Sequence, residues 1–171
     1  MKDLGFQKQA GFLFLVVLGM VLPVYGQYGP GTGEPNDPYQ IWDPNQMNAI
    51  GANPGDWGKC FKLMADVDMD PDITGIPAFT TALIAPDTDP STYYFQGVHF
   101  SGTFDGCQHT ITNFTIDAVE TNNDYLSLFG AIGPDGHVMN LRMENIDIVG
   151  GEDSAFLGGL CGENWSGGTI S

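Results

Sequence analysis

A glycine-centred pattern that recurs in the C-terminal half of the chain constrains its fold more than any other feature. Three copies share the order apolar residue, free position, glycine, free position, apolar residue, and they start at Phe100, Leu128 and Leu157. A second apolar element trails each copy, at 111–114, 138–141 and 170–171. The spacing of about 28 residues lies within the range of about 20 to 50 that is typical of stacked repeat architectures.

The segments between these glycines predict a β-solenoid. They are short and apolar, and Gly, Asn and Asp turns separate them, so each coil would bury its inward side only by stacking on its neighbours. Asn113 and Asn140 occupy one repeat position, where stacked asparagines can satisfy corner backbone groups. A β-sandwich also has short strands at similar spacing. It does not explain why Gly102, Gly130 and Gly159 recur in one register.

The N-terminal segment 1–26 has the composition of a secretory signal. Lys2 and Lys8 precede an apolar run over 11–22, and Val24 and Gly26 suit the −3 and −1 positions of a cleavage site. This run is far shorter than the roughly 20 residues that a spanning helix needs. We therefore predict cleavage after Gly26, a secreted or cell-surface location, and no membrane span after cleavage.

Charge excludes one class of partner. Without residues 1–26, which hold Lys2, Lys8 and Asp3, the chain keeps three bases against 20 acids, hence a formal net charge of −17. A surface this acidic repels phosphate backbones and anionic membranes, so no nucleic-acid partner is expected. Solubility outside the cell is its simplest interpretation.

Three cysteines are an odd number for an exported protein. Cys60, Cys107 and Cys161 lie far apart along the chain without a C-x-x-C pair, which indicates neither a zinc ribbon nor a redox pair. They are interpreted as small buried apolar residues, with one disulfide between two of them as the alternative.

The residues before the repeats divide into a linker over 27–38 and an N-terminal cap over 39–99. Within the cap, Asp43 and Pro44 suit the N-cap and first position of a helix over 43–50, the only helix expected. Strict alternation predicts a strand over 61–69. The segment 71–98, with four prolines and several aromatic residues, is predicted to be a packed but irregular excursion.

These motifs resemble the GLUG-motif repeat proteins of bacterial surfaces. The resemblance is carried by Leu157-Gly-Gly-Leu-Cys-Gly-Glu-Asn164 with Gly168-Thr-Ile-Ser171, by the upstream stretch 102–114, and by the segments 38–41 and 61–69. It covers roughly residues 38–171. It implies an all-β fold, a right-handed parallel β-helix (β-solenoid) whose N-terminal cap contains one short helix. The motif carries no catalytic residues.

The last repeat of the region 100–171 is incomplete, since its second element ends at Ile170 and Ser171. Family members usually continue through further repeats. We therefore expect this chain to be the N-terminal portion of a longer protein, with further repeats of that parent chain as one of its partners.

No catalytic, cofactor-binding or metal-binding residue is predicted. The acidic run Asp66, Asp68, Asp70 and Asp72 fails the EF-hand pattern, because prolines stand where that loop needs Gly and Glu. Asp105 and His109 have the spacing of an ordinary turn. A polysaccharide lyase would need a base, commonly Arg or Lys. Arg142 is the only arginine and lies within a repeat strand, so a lyase is not favoured.

Aromatic residues offer the remaining candidate site. Tyr93 and Tyr94, with one of Trp42, Trp57 and Trp165, could stack on sugars, but the favoured interpretation is that these aromatic residues plug the cap and the long loop. The sequence thus predicts a non-catalytic extracellular or cell-surface module with a scaffold or adhesion role. A carbohydrate-binding module is the alternative, and a polysaccharide-degrading enzyme is less favoured. The expected partners are an extracellular polysaccharide or a surface protein.

Overall fold

The computed structural model describes residues 27–171, so the predicted signal peptide, 1–26, lies outside the described residues. Within this range the chain forms twelve strands, two α-helices and one 3-10 helix at Pro54–Asp56. The helices are α1 (Pro44–Ala52) and α2 (Pro71–Thr74). The strands are β1 (Tyr39–Ile41), β2 (Cys60–Leu63), β3 (Val67–Asp68), β4 (Thr103–Asp105), β5 (Thr110–Thr112), β6 (Thr115–Asp117), β7 (Phe129–Ile132), β8 (His137–Met139), β9 (Arg142–Glu144), β10 (Asp147–Val149), β11 (Cys161–Asn164) and β12 (Thr169–Ile170).

All pairs between these strands are parallel, and they group into four small sheets. One has five strands in the order β1-β2-β4-β8-β12, and one has three in the order β3-β5-β9. The pairs β6-β10 and β7-β11 form two-stranded sheets. In the largest sheet Phe61, Phe104 and Val138 lie in register across three strands, so their side chains enter one core.

The predicted all-β, right-handed parallel β-helix is wrong. The described residues form four separate sheets of two to five strands, with short strands and with α1 and α2 among them. The reason lies in the connections. Left-handed φ angles at Asn113, Asn140 and Asn145 turn the backbone sharply between strands, which ends each ladder after a few residues.

The predicted repeat register is also wrong. Phe100 lies opposite Ile132, and Phe129 lies opposite Cys161, a longer step than the one between the glycine-centred copies. The glycines resemble each other for a local reason. A Cβ at Gly102 would clash with the Lys59 carbonyl, and one at Gly130 with the Ala85 carbonyl. Each glycine therefore permits a close backbone approach without sharing a structural position.

Asn113 and Asn140 do not occupy equivalent positions. The amide of Asn113 donates to Asp68 at 2.9 Å, and that of Asn140 donates to Asp105 at 3.0 Å. The residue that matches Asn113 is Asn145, which follows it at the offset of the paired strands and has a similar φ angle, 54° against 57°. Each asparagine is thus a turn residue that tolerates the left-handed region.

The N-terminal half follows the sequence more closely. The prediction of α1 is confirmed: the Asp43 side chain accepts a hydrogen bond from the Gln46 N–H, and Met47 and Ile50 are fully buried. The predicted strand over 61–69 is split into β2 and β3. The one-turn helix α2 was not predicted, and it makes the single-helix prediction wrong.

Residues 27–38 are packed rather than free. Tyr28 is buried against Phe61, with ring centroids 5.5 Å apart, and the Gly29 N–H donates to the Gln40 carbonyl at 2.9 Å. This stretch therefore belongs to the cap, in contrast to its predicted role as a linker. No helix within residues 27–171 has both the length and the apolar character needed to cross a bilayer.

Candidate functional site

Seven aromatic side chains form a continuous row beside the β7-β11 sheet, and we call this row the aromatic strip. Each ring centroid lies 4.5–5.6 Å from the next. In order, the strip consists of Tyr94, Tyr93, Phe156, Tyr125, Phe95, His99 and Trp165.

The two ends of the strip are exposed and its centre is buried. Tyr93 and Tyr94 are 70% and 75% exposed at one end, and Trp165 is 43% exposed at the other. Phe95 and Tyr125 are buried between them. The buried aromatic centre holds the exposed rings in place, so little side-chain entropy is lost when these rings bind a partner. This is a property of interface anchors.

Hydrogen bonds between two chain segments set the centre of the strip. The Tyr125 N–H donates to the Ala155 carbonyl at 3.1 Å, and the Ala155 N–H donates to the Asp124 carboxylate at 2.5 Å. These two bonds align the neighbouring Tyr125 and Phe156 rings. Asp124 is a buried carboxylate, and this backbone contact accounts for its burial.

The loop 87–97 carries the exposed tyrosines and is tied to itself by side chains. The Gln96 N–H donates to Asp87 Oδ1 at 2.6 Å, and the Thr88 hydroxyl donates to the Gln96 carbonyl at 3.1 Å. Gly97 closes the loop, because a Cβ there would clash with the Pro86 carbonyl and the Phe95 ring. The loop is therefore a structured platform.

One further bond joins this loop to the centre of the strip. The Tyr125 hydroxyl donates to the Tyr93 carbonyl at 3.1 Å. Burial, together with the nearby carboxylates of Glu163, Asp87 and Asp124, raises the pKa of Tyr125 to about 12. The phenol therefore stays protonated and keeps its role as donor at any physiological pH.

The other end of the strip combines a histidine and a tryptophan. The His99 and Trp165 rings meet edge to face at 4.5 Å, and the backbone N–H of Trp165 donates to the Ile132 carbonyl at 3.0 Å. Burial lowers the pKa of His99, which Glu163 opposes. The imidazole is consequently neutral near pH 7.

The acidic run is used for local structure. Asp66 accepts hydrogen bonds from the Thr110 N–H at 2.9 Å and from His109 at 3.2 Å. Asp68 accepts the Asn113 amide, and Asp70 caps α2. Within residues 27–171 no group of three His, Cys, Asp or Glu side chains is arranged to hold a metal ion.

The structure does not bring Asp105 and His109 together. Asp105 accepts the Cys107 N–H and the Asn140 amide, whereas His109 bonds to Asp66. Arg142 lies in β9 beside a surface hollow of about 300 Å³ lined by Gln108, Asn140 and Ser171. This basic side chain is on the β3-β5-β9 sheet, whereas the strip adjoins β7-β11.

The three tryptophans have different roles. Trp57 is buried and donates its indole N–H to the Ile50 carbonyl at 2.8 Å, so it plugs the cap. Trp42 is exposed beside Gly29 and Gln46, outside the strip. Trp165 alone joins the aromatic strip.

The cysteines do not pair. All three are free thiols: Cys107 is exposed, and Cys60 and Cys161 are half-buried. Burial raises the pKa of Cys161 to about 11. Cys107 therefore departs from the predicted role of a small buried apolar residue.

Sequence reasoning missed four members of the strip, which are Phe95, His99, Tyr125 and Phe156. For Tyr125 and Phe156 a signal was available in the sequence. The number of residues that separates them is nearly the same as the number that separates paired residues of β7 and β11. Once that offset is known, two aromatic residues preceding paired strands are expected to meet.

Comparisons with known proteins add two partial similarities. The chain is 29% identical over 133 residues to halomucin of Haloquadratum walsbyi, covering 75% of this chain and 1% of halomucin. It is 27% identical over 165 residues to a provisionally named Gly-rich membrane protein of Evansella cellulosilytica, covering 89% of this chain and 17% of that protein.

The chain thus spans only a small part of each of these relatives. No family model matches it, and the GLUG resemblance stays a prediction. No solved structure matches it either. The similarity is therefore to one segment of halomucin and to one segment of the Gly-rich membrane protein.

Proposed function

We propose that this chain is a non-catalytic module of an extracellular or cell-surface protein, with a scaffold or adhesion role. The observation that carries the proposal is the aromatic strip, whose exposed ends, Tyr93, Tyr94 and Trp165, stand on a buried aromatic centre. Exposed aromatic side chains held in place by packing are typical of binding surfaces. Similarity to a segment of a Gly-rich membrane protein supports a surface location.

A carbohydrate polymer is the ligand that this strip favours. Sugar rings present apolar faces that pack on aromatic rings, and a linear polymer presents many such faces in succession, so one chain can contact the exposed rings at both ends of the strip. An enzyme is less favoured, because the strip adjoins the β7-β11 sheet, whereas Arg142 lies in the β3-β5-β9 sheet. The module would act by holding a polysaccharide rather than by cleaving it.

Further repeats of a longer parent chain form part of the same proposal. Met143 and Ile148 lie opposite the fully buried Ile111 and Ile116, yet both are only half-buried. A following segment with the same apolar positions would cover them and extend the scaffold.

The test is retention of the protein on insoluble polysaccharides such as cellulose and chitin. We expect retention by the unaltered protein and a loss of at least about tenfold for the double variant Tyr93→Ala/Tyr94→Ala. Trp42→Ala is the matched control, since Trp42 is an exposed aromatic residue outside the strip. Equal retention of all three proteins, or retention of none, would contradict the proposal.

A further inference from the structure

The surroundings of the aromatic strip are anionic. Three carboxylates lie close enough to Tyr125 to perturb its phenol, and they are Glu163, Asp87 and Asp124. Glu163 also acts on His99 at the other side of the buried centre. Acidic groups therefore flank the buried centre of the strip.

No basic side chain of residues 27–171 compensates this charge. Lys59 is paired with Glu34 at 2.8 Å, Lys62 lies beside Cys60 and Asp105, and Arg142 lines the hollow with Gln108 and Asn140. His99, which belongs to the strip, is neutral near pH 7. The strip thus has a negative potential without an internal counter-ion.

Two polar atoms at this site lack a partner within residues 27–171. They are Asp87 Oδ2 and His99 Nε2, and both are buried. The other Asp87 oxygen accepts the Gln96 N–H at 2.6 Å. The carboxylate is therefore fixed in the tyrosine-bearing loop, with one oxygen that has no hydrogen-bond partner among the described residues. Buried charges are usually paired, and no described residue compensates this oxygen, so it adds to the negative field around the strip.

We propose that the aromatic strip binds a cationic glycan, a polymer of amino sugars that carry free, protonated amines. The sugar rings stack on the exposed faces of Tyr93, Tyr94 and Trp165. The ammonium groups lie over aromatic faces and within the field of the neighbouring carboxylates, where cation–π attraction and Coulomb attraction act together. This inference rests on the proposed function and names the ligand class of the same site.

The same charges exclude other glycans. Uronates and sulfated sugars would be repelled by the carboxylates beside the strip, and a neutral glycan would gain from stacking alone. A basic peptide shares the cationic chemistry, but it lacks the flat sugar rings that would stack on the exposed Tyr93, Tyr94 and Trp165 side chains.

Calorimetric titration with two matched probes tests the inference. The glucosamine hexamer and the N-acetylglucosamine hexamer have the same ring skeleton, and only the first carries amines. In mildly acidic, low-salt buffer we expect the glucosamine hexamer to bind about tenfold more tightly. Added salt should reduce this ratio, because screening weakens the charge contribution.

Two isosteric variants separate charge from packing. Asp87→Asn keeps an oxygen acceptor for the Gln96 N–H, and Glu163→Gln keeps the side-chain length of a half-buried strand residue. Each should lower the ratio between the two hexamers, because it weakens binding of the glucosamine hexamer more than binding of the acetylated hexamer. The melting temperature of each variant, measured alongside, establishes that it is folded.

The outcomes separate this inference from the proposed function. If both hexamers bind equally, or if the two charge variants keep the full ratio, the cationic preference is wrong and glycan binding survives. If neither hexamer nor any insoluble polysaccharide binds, both proposals fail. If only poly-lysine binds and Tyr93→Ala/Tyr94→Ala abolishes that binding, the ligand is a basic protein and the glycan assignment is overturned.

Discussion

The rings of Tyr125 and Phe156 stack face to face, with centroids 4.5 Å apart and planes inclined by only 8°. Both residues have left-handed backbones, with φ angles of 55° and 58°. Bulky side chains rarely adopt this region, and each instance costs of order 1–3 kcal/mol. The surrounding hydrogen bonds and the stacked rings offset that cost, so the centre of the aromatic strip is held by mutual constraint.

Removal of one ring should therefore weaken both the fold and the site. Phe156 also meets Tyr93 edge to face at 5.4 Å, so Phe156→Ala loses two aromatic contacts. We expect the free energy of unfolding to fall by about 1–3 kcal/mol, together with loss of polysaccharide retention. Urea denaturation and the retention assay measure the two effects. Phe156→Leu keeps apolar volume, and it should recover stability more fully than retention.

The Asp124 carboxylate is expected to act as a positioning group. It accepts the Ala155 N–H at 2.5 Å and is itself buried. Asp124→Ala leaves that N–H without its partner and should lower the free energy of unfolding by about 1–3 kcal/mol. Asp124→Asn keeps an acceptor and should cost less. Urea denaturation of both variants checks this order, and equal losses would show that the hydrogen bond is unimportant.

Local features of this fold were predictable, because short-range chemistry dictates them. Asp43 and Pro44 define the start of α1 by capping and by a fixed φ, whatever the rest of the chain does. The plugging role of Trp57 also agrees with its sequence interpretation. In each case the relevant partners lie close together along the chain.

Long-range features were not predictable in the same way. The true register pairs Phe129 with Cys161. The glycine-centred pattern indicated a different offset, because glycine is needed wherever backbones approach closely. The β-helix prediction failed for a related reason: periodicity does not report where left-handed turns such as Asn113 end a strand. The aromatic strip depends on this register, so Tyr125 and Phe156 could not be paired from sequence.

Acid should destabilise the protein through Asp66 and Asp68. The Thr110 N–H and His109 lower the pKa of Asp66, and the Asn113 amide and the Asp70 N–H lower that of Asp68. A carboxylate whose pKa is lower in the folded state stabilises the fold above its unfolded pKa. That contribution is lost as the pH falls through the folded pKa.

Thermal unfolding between about pH 5 and pH 2 measures this loss. Asp66→Asn and Asp68→Asn should each lower stability at neutral pH and reduce its fall in acid. Glu120→Gln, at an exposed turn, controls for the removal of one negative charge. An unchanged acid profile in both aspartate variants would refute the assignment.

The three thiols should differ in reactivity. Burial and the nearby Asp105 carboxylate raise the pKa of the Cys107 thiol, but this residue is exposed to the reagent. Burial raises the pKa of Cys161 to about 11, which leaves very little thiolate at pH 8. Labelling with a disulfide reagent at pH 8 should show one fast thiol, and Cys107→Ser should remove that phase. The rate at Cys161 should keep rising as the pH approaches 11. A fast phase that survives Cys107→Ser would contradict this order.

The two isoleucines that face each other in the β6-β10 pair provide a measure of how far the core extends. Ile116 and Ile148 lie in register, but Ile116 is fully buried. Ile148 is half-buried and lines a hollow of about 300 Å³ with Ile146 and Leu157.

Ile116→Ala should cost about 2–5 kcal/mol of unfolding free energy. Ile148→Ala should cost clearly less, because its side chain is packed on one side only. Urea denaturation at several protein concentrations compares the two variants. Equal costs that grow with concentration would mean that a second copy covers Ile148, whereas equal costs at all concentrations would contradict the open position described for β10.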